Sequence, residues 1–70
     1  MLNEQDLATF ERLPVQFLYN LPRQSYFTFN DVAYFFDHVD GMYSLCYTLP
    51  SHDIIHFGAS TPVVPLKAPQ

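Results

Sequence analysis

The middle of the chain, residues 25–48, reads SYFTFNDVAYFFDHVDGMYSLCYT and contains three runs rich in aromatic and β-branched residues. Such residues favour strands because their side chains pack well on a pleated surface. The dipeptides between the runs, Asn30-Asp31 and Asp40-Gly41, are typical of tight turns between antiparallel strands. This stretch therefore predicts two consecutive hairpins.

Residues 30–39 also admit a second interpretation. Their apolar side chains follow the i, i+3, i+4, i+7 spacing of an amphipathic helix, with Asn30 at the N-cap position. We favour a strand, because the run is rich in poor helix formers and ends in a hairpin signal. A helix here remains the alternative, and it would give an α+β domain with a β-meander. The apolar positions are Val32, Phe35, Phe36 and Val39.

The segment before this stretch predicts a short helix over residues 2–13. Leu7, Phe10 and Leu13 recur every three residues, and Pro14 disfavours the helical conformation at the residue before it. A helix this short is unstable alone in water, so its apolar side is expected to dock on the rest of the chain.

Residues 14–24 are expected to form a connector that buries Phe17 and Leu18, either as a short extended piece or as one helical turn. Beyond residue 48, Pro50 to Asp53 predicts a turn, and Ile54 to Phe57 predicts a strand.

The last predicted strand, residues 61–66, contains Pro62 and Pro65, and each proline removes a backbone donor. We therefore expect an edge strand or a polyproline-like extension, followed by a loose tail over residues 67–70. The whole chain, residues 1–70, is predicted to be one domain with a β-rich core over 25–66. The fold class is mainly β with a short N-terminal helix, arranged as a small twisted antiparallel sheet or an SH3-like partly open barrel.

Composition indicates a folded but marginal domain. The 70 residues are 49% hydrophobic, 17% aromatic and only 14% charged, which is too apolar for a disordered segment. Domains of this size usually need a disulfide, a metal or a partner surface for stability. Cys46 is the single cysteine, which excludes an intrachain disulfide and fits a reducing cytosol. A partner protein or a homo-oligomer is the expected source of stability.

Charge and hydropathy exclude two classes of partner. The net charge is −4, and the three basic residues, Arg12, Arg23 and Lys67, are scattered along the chain, so we expect no direct nucleic-acid binding. No apolar run approaches the roughly 18 residues that span a bilayer, so we expect no membrane association and a cytoplasmic location.

Two groups of residues resemble metal sites without matching one. His52 and His56 lie four apart, but on a strand they would be about 13 Å apart, too far to chelate one ion. The second group lacks the paired short spacings of structural zinc sites. We predict no metal and no cofactor, and we expect Cys46 to be a small buried hydrophobe. The second group consists of Asp37, His38, Asp40 and Cys46.

Nothing in the sequence marks a catalytic residue. The chain has no Gly-x-Ser-x-Gly elbow around its serines, and two glycines are too few for a phosphate-binding loop. We therefore expect that the protein is not an enzyme.

The aromatic surplus is the feature that points to function. Adjacent rings such as those at 26–27 and 34–36 must lie on both faces of a strand, whereas one small core covers a single face. Some rings should therefore be exposed or lie against a partner, unless all of them fill the core. The acidic turn residues are expected to be solvated, or to form a negative rim around the binding face. The predicted partner-binding residues are Tyr26, Tyr34, Tyr43, Tyr47, Asp37 and Asp40.

The segment Asp40 to Cys46, followed by Ile55-His56-Phe57 and Thr61-Pro62-Val63, resembles a pattern in short uncharacterised proteins of tailed bacteriophages. The resemblance covers residues 30–66 and implies no catalytic residue. It implies an accessory protein made in the bacterial cytoplasm. We therefore expect a small protein-binding module, such as an inhibitor or modulator of a host protein, with a self-associating structural subunit such as a minor virion component as the alternative.

Overall fold

The computed structural model describes residues 7–49 and 51–68, which form seven β-strands and one 3-10 helix. Most of these residues lie in strands, as the β-branched and aromatic composition predicts. The strands are β1 (Glu11–Arg12), β2 (Gln16–Phe17), β3 (Ser25–Phe29), β4 (Val32–Asp40), β5 (Tyr43–Thr48), β6 (Ile54–Ile55) and β7 (Pro62–Lys67), and the 3-10 helix spans Leu18–Asn20.

The strands form one antiparallel sheet in the order β1-β7-β3-β4-β5-β6, and β2 also pairs with β7. The predicted mainly β fold with an open sheet is confirmed. Both predicted hairpins are present. Asn30 and Asp31 adopt positive φ angles of 51° and 63° between β3 and β4, and Gly41 has a φ of 66° between β4 and β5.

Residues 32–40 form the strand β4, so the favoured interpretation is confirmed and the helix alternative is wrong. The pairing of β4 with β5 shifts register between Phe36 and His38, which leaves Asp37 as the extra residue of a β-bulge. In a regular strand, residues two positions apart share a face. Because of the bulge, Val39 shares the face of Phe36 although it is three positions away. This irregularity produces the helix-like spacing in the sequence.

The prediction of an N-terminal helix ending at Leu13 is wrong for residues 11–13, and residues 2–6 lie outside the described residues. Glu11 and Arg12 form β1 and pair with Lys67 and Leu66 of β7. A single turn precedes β1, in which the N–H of Phe10 donates to the carbonyl of Leu7 at 3.0 Å. A short isolated helix is unstable, so pairing with the available edge of β7 prevails.

The connector at 14–24 contains both of the local structures that its sequence suggested, since β2 is extended and the 3-10 helix follows directly. Leu18 is fully buried, as expected, but Phe17 is 46% exposed, so its predicted burial is wrong. The ring of Phe17 instead stacks on Tyr19 at the surface, with centroids 5.6 Å apart.

The prediction that residues 61–66 form an edge strand is wrong, because β7 pairs with β3 on one side and with β1 and β2 on the other. The N–H of Leu13 donates to the carbonyl of Pro65 at 2.9 Å, so the backbone of Pro65 faces β1 and β2. Pro65 therefore lacks an N–H only on the side where β1 ends and β2 has not begun. The hydrogen bonds between β7 and β3 are unaffected. Lys67, placed in the loose tail by the sequence, belongs to β7.

Both faces of the sheet carry a hydrophobic cluster. The first face, defined by Phe27, Phe36 and Cys46, packs against the 3-10 helix and the segment after β6, and it contains the larger core. The second face carries a smaller cluster centred on Ala33. The larger core consists of Leu18, Leu21, Phe27, Phe36, Cys46 and Val63, and the smaller one of Leu7, Ala33 and Leu49 with Phe10, Tyr26 and Leu66 against it.

Candidate partner-binding face

A row of aromatic rings crosses the second face from β1 to the loop before β6. Successive ring centroids along this row are 5.8, 5.2, 6.2 and 4.6 Å apart. Contacts of this length are favourable for aromatic pairs and hold the rings in defined orientations. We call this set the aromatic row; its members in order are Phe10, Tyr26, Phe35, Tyr47 and His52.

Strand register builds the row. Tyr26 of β3 lies opposite Phe35 of β4, and Phe35 lies opposite Tyr47 of β5. Residues directly opposite in antiparallel strands share a face, so one aromatic residue per strand is enough to form a line across the sheet. Ile54 of β6 lies opposite Tyr47 and extends the line by one strand.

The two ends of the row differ in exposure. At the β1 end, Leu7 is 5% exposed and Phe10 packs edge-on against Tyr26, so the N-terminal turn covers the sheet there. At the other end Ile54 is 64% exposed, and Tyr43, which lies four residues before Tyr47 along β5, is 62% exposed. Part of the exposed apolar surface that the sequence predicts therefore lies over β5 and β6, and the rest lies at Val15, Phe17, Tyr19, Val32 and Met42.

Three of the four predicted tyrosines share this face, and one does not. Tyr26 and Tyr47 belong to the row, and Tyr43 lies on the same side by strand alternation. Tyr34 lies on the first face, where it stacks on Phe27 with centroids 5.5 Å apart.

The predicted acidic residues are spread along β4. Asp40 is exposed at the β4–β5 turn, where it pairs with Tyr43, whereas Asp37 sits in the bulge with its Oδ2 atom 3.7 Å from Nδ1 of His38. Asp31 lies at the opposite end of β4, nine residues from Asp40, and forms an ion pair with Arg12 at 3.5 Å. The turn carboxylates therefore do not form one patch.

Exposed carboxylates nevertheless flank the open end of the row. Asp40 is paired across the hairpin with Tyr43, and Asp53 precedes Ile54 directly in the sequence. Each of the two most exposed apolar side chains on this face thus has an exposed acidic neighbour. The open end is an apolar surface with negative charge beside it.

Cys46 is fully buried on the first face, as the sequence predicts. Its Sγ atom lies 3.3 Å from the Oγ atom of Ser44, which also donates a hydrogen bond to the carbonyl of Phe57 at 2.9 Å. Burial raises the pKa of the Cys46 thiol; the hydrogen bond between Cys46 and Ser44 opposes this shift, and the negative charge of Asp37 adds to it. A neutral buried thiol is a poor nucleophile, so Cys46 serves packing.

The two histidines of the His52-Asp53-x-x-His56 string have separate structural partners. His52 packs against Tyr47 and ends the aromatic row, whereas Nδ1 of His56 lies 2.8 Å from the carbonyl oxygen of Ser44. Within residues 7–49 and 51–68, no three His, Cys, Asp or Glu side chains are grouped so that they could hold a metal ion.

Surface grooves flank the hairpin of β4 and β5. The largest is open, measures about 530 Å³ and adjoins the second face. Two smaller hollows lie at the other edge of β4 and share Tyr19 and Val39. The residues that line the largest groove are His38, Asp40, Tyr43, Ser44, Leu45 and His56.

Sequence reasoning missed Phe35, His52 and Ile54 as parts of this face. Phe35 is not among the predicted partner-binding residues, although its position between Tyr34 and Phe36 requires it to point to the opposite face of a strand from both. Ile54 could have been found by alternation, since Ile55 is directed at the core and its neighbour must be directed outward. His52 lies in a loop, and no sequence pattern indicated its contact with Tyr47.

No family model, curated protein or solved structure matches the chain. Among the described residues, no helix is both long enough and apolar enough to cross a membrane.

Proposed function

We propose that this protein is a small protein-binding module that docks a partner protein on the open end of the aromatic row. The observation that carries the proposal is the exposure of Ile54 directly opposite Tyr47 of the row, together with that of Tyr43, which lies on the same face four residues before Tyr47 along β5. Aromatic and aliphatic side chains held in fixed positions are typical anchors of protein interfaces, because little side-chain entropy is lost when they are covered.

Charge favours a basic partner. The chain has a net charge of −4, and the exposed carboxylates of Asp40 and Asp53 flank the two apolar anchors. A partner that presents an apolar pocket rimmed by Lys or Arg would be complementary in both polarity and charge. A second copy of this chain is less suitable as the occupant, because its own acidic residues would oppose these two across a face-to-face dimer.

The proposal includes the biological setting that the sequence resemblance implies. The protein would act in the bacterial cytoplasm as a phage accessory protein that inhibits or modulates a host protein. Its small size suits this role, because such a module needs only one rigid face. The bulk of the binding energy would come from Tyr43, Tyr47 and Ile54.

The test is affinity capture of host proteins on the immobilised full chain, followed by mass spectrometry, with four versions of the bait. We expect Tyr43→Ala and Ile54→Ala to lose the protein that the unmodified chain captures. Val15→Ala is the matched control for Ile54→Ala, because Val15 is 61% exposed and lies at the break between β1 and β2. We expect this variant to capture the same protein as the unmodified chain.

Two results would contradict the proposal. One is equal capture by all four baits, since binding would then not use this face. The other is a closed homo-oligomer, measured by analytical ultracentrifugation at micromolar concentration, that captures no host protein. Circular dichroism of each variant establishes that any loss of capture is not a loss of fold.

A further inference from the structure

β4 extends beyond the end of β3, and in this part of β4 the backbone of Val39 has no partner strand on its outer edge. The N–H of Ser44 donates to the carbonyl of Phe57 at 2.9 Å, so the backbone of Ser44 faces away from β4. Val39 lies directly opposite Ser44, and in antiparallel pairs such opposed residues both turn away from each other. The N–H and C=O of Val39 therefore point to the outer edge of β4.

No described strand occupies that edge. The pairing of β3 with β4 ends at Ser25 and Phe36, and the last backbone contact is from the N–H of Gln24 to the carbonyl of Asp37 at 3.2 Å. Gln24 has a φ of 59°, which turns the chain away from the line of β3. Among residues 7–49 and 51–68, no strand pairs with β4 at Val39 on this side, and the position continues the line of β3.

Hollows lie on either side of this position. They measure about 250 and 370 Å³, and both are lined by Tyr19 and Val39. In an extended peptide paired with Val39, the residue opposite Val39 and the residues two positions before and after it would direct their side chains to the first face, where the two hollows can receive them. We call this site the β4 groove. Besides Tyr19 and Val39, its first hollow is lined by Leu21, Arg23, Phe36 and His38, and its second by Gly41, Met42, Ala59 and Ser60.

Arg23 gives the groove a charge preference. Its side chain lines the first hollow, is exposed, and forms no ion pair with the described residues, whereas Arg12 is paired with Asp31 at 3.5 Å. An acidic side chain on a bound peptide would meet this unpaired guanidinium.

We propose that the β4 groove binds an extended acidic peptide of another protein, which adds as a strand beside Val39 and places an Asp or Glu next to Arg23. Two backbone hydrogen bonds to Val39 would fix the peptide, and the hollows would select its side chains.

The experiment uses a displayed library of random linear octapeptides selected on the immobilised full chain. We expect the selected sequences to share an Asp or Glu at one position. With one such peptide synthesised, we expect the amide signal of Val39 to shift in NMR spectra and its hydrogen exchange to slow. Arg23→Ala should weaken binding about fivefold, and the matched variant Arg12→Ala should leave it unchanged.

Several outcomes would overturn the proposal: no selected peptide, selected peptides without an acidic position, or a Val39 amide unchanged by binding. Protection of that amide by protein concentration alone, without peptide, would identify a second copy as the occupant instead. Tyr43→Ala should bind the peptide normally, because Tyr43 is outside the β4 groove. The experiments can therefore contradict the proposal for the β4 groove without contradicting the proposal for the aromatic row, and the reverse.

Discussion

The ring of Phe57 stands edge-on against the ring of Tyr34, with centroids 5.0 Å apart and planes at 78°. Phe57 also contacts Phe27 and Phe29 edge-on, at 5.8 and 5.3 Å. The segment after β6 thereby covers the first face of the sheet. Tyr34 is consequently part of a packed cluster, whereas Tyr43 is exposed on the other face.

This difference predicts opposite behaviour of two tyrosine variants. Tyr34→Ala removes a ring packed against Phe27 and Phe57, and we expect the free energy of unfolding to fall by about 2 to 3 kcal/mol. Tyr43→Ala changes an exposed side chain, and we expect a change within about 0.5 kcal/mol. Urea denaturation followed by circular dichroism measures both. Equal losses in the two variants would contradict the assignment of these residues to different faces.

Phe36 and Phe35 provide a second comparison, between neighbours on opposite faces. Phe36 is 1% exposed in the larger core, so Phe36→Ala should lower the free energy of unfolding by about 3 to 5 kcal/mol. Phe35 is only half-buried, so Phe35→Ala should cost clearly less. The same denaturation measurement tests the order, and a reversed order would show that the smaller cluster dominates stability.

The two glycines should respond differently to alanine. Gly41 has a φ of 66° in the β4–β5 turn, a conformation that strains any residue with a Cβ atom, so Gly41→Ala should destabilise the protein by about 1 kcal/mol. Gly58 is the control, because an added Cβ would meet only Oγ1 of Thr61 at an ordinary 3.6 Å. Thermal unfolding should show a lower melting temperature for Gly41→Ala alone. A larger drop for Gly58→Ala would contradict this account.

Burial of Cys46 predicts a dependence of stability on alkaline pH. The thiol pKa is raised in the folded protein, so the unfolded chain ionises first as the pH rises. The contribution of this thiol to stability is therefore full below its ordinary pKa of 9.0 and is lost as the pH rises towards the folded-state value. Urea denaturation between pH 7 and pH 10 should show a steeper decline in the unmodified chain than in Cys46→Ala. Parallel declines would contradict the prediction.

Local signals in the sequence were sufficient for both hairpins, because Asn30, Asp31 and Gly41 adopt the positive φ angles that such turns require. The same signals could not locate the bulge at Asp37, since it depends on how β4 registers against β5. Its effect was to make a strand resemble a helix in its apolar spacing.

The errors at both ends of the chain have a common physical cause. β1 and β7 are far apart in the sequence, and each is stabilised as a strand by pairing with the other. Considered alone, the N-terminal segment favoured a helix and the two prolines of β7 indicated an edge. A central strand can contain Pro65 because this residue, which has no N–H to donate, lies opposite the gap between β1 and β2.

The sequence predicts that aromatic residues lie on both faces of the sheet, but not which of them belong to the exposed binding face. Alternation along a strand required aromatics on both faces, and the structure places rings on both. Which face is covered depends on the 3-10 helix and the segment around Phe57, and neither can be positioned from local sequence. The sequence therefore predicts the same role for Tyr34 and Tyr43, although the two residues lie on different faces.

The central position of β7 has a consequence for how the chain acquires its structure. β7 is the last of the described strands in chain order, yet β1, β2 and part of β3 all depend on it for pairing. During synthesis, the first strands must wait for residues 62–67 before they can join the sheet. The β3–β4–β5 meander can form earlier from local contacts, so folding should proceed from the middle outward, with the slow step being the closure of β7 onto both ends.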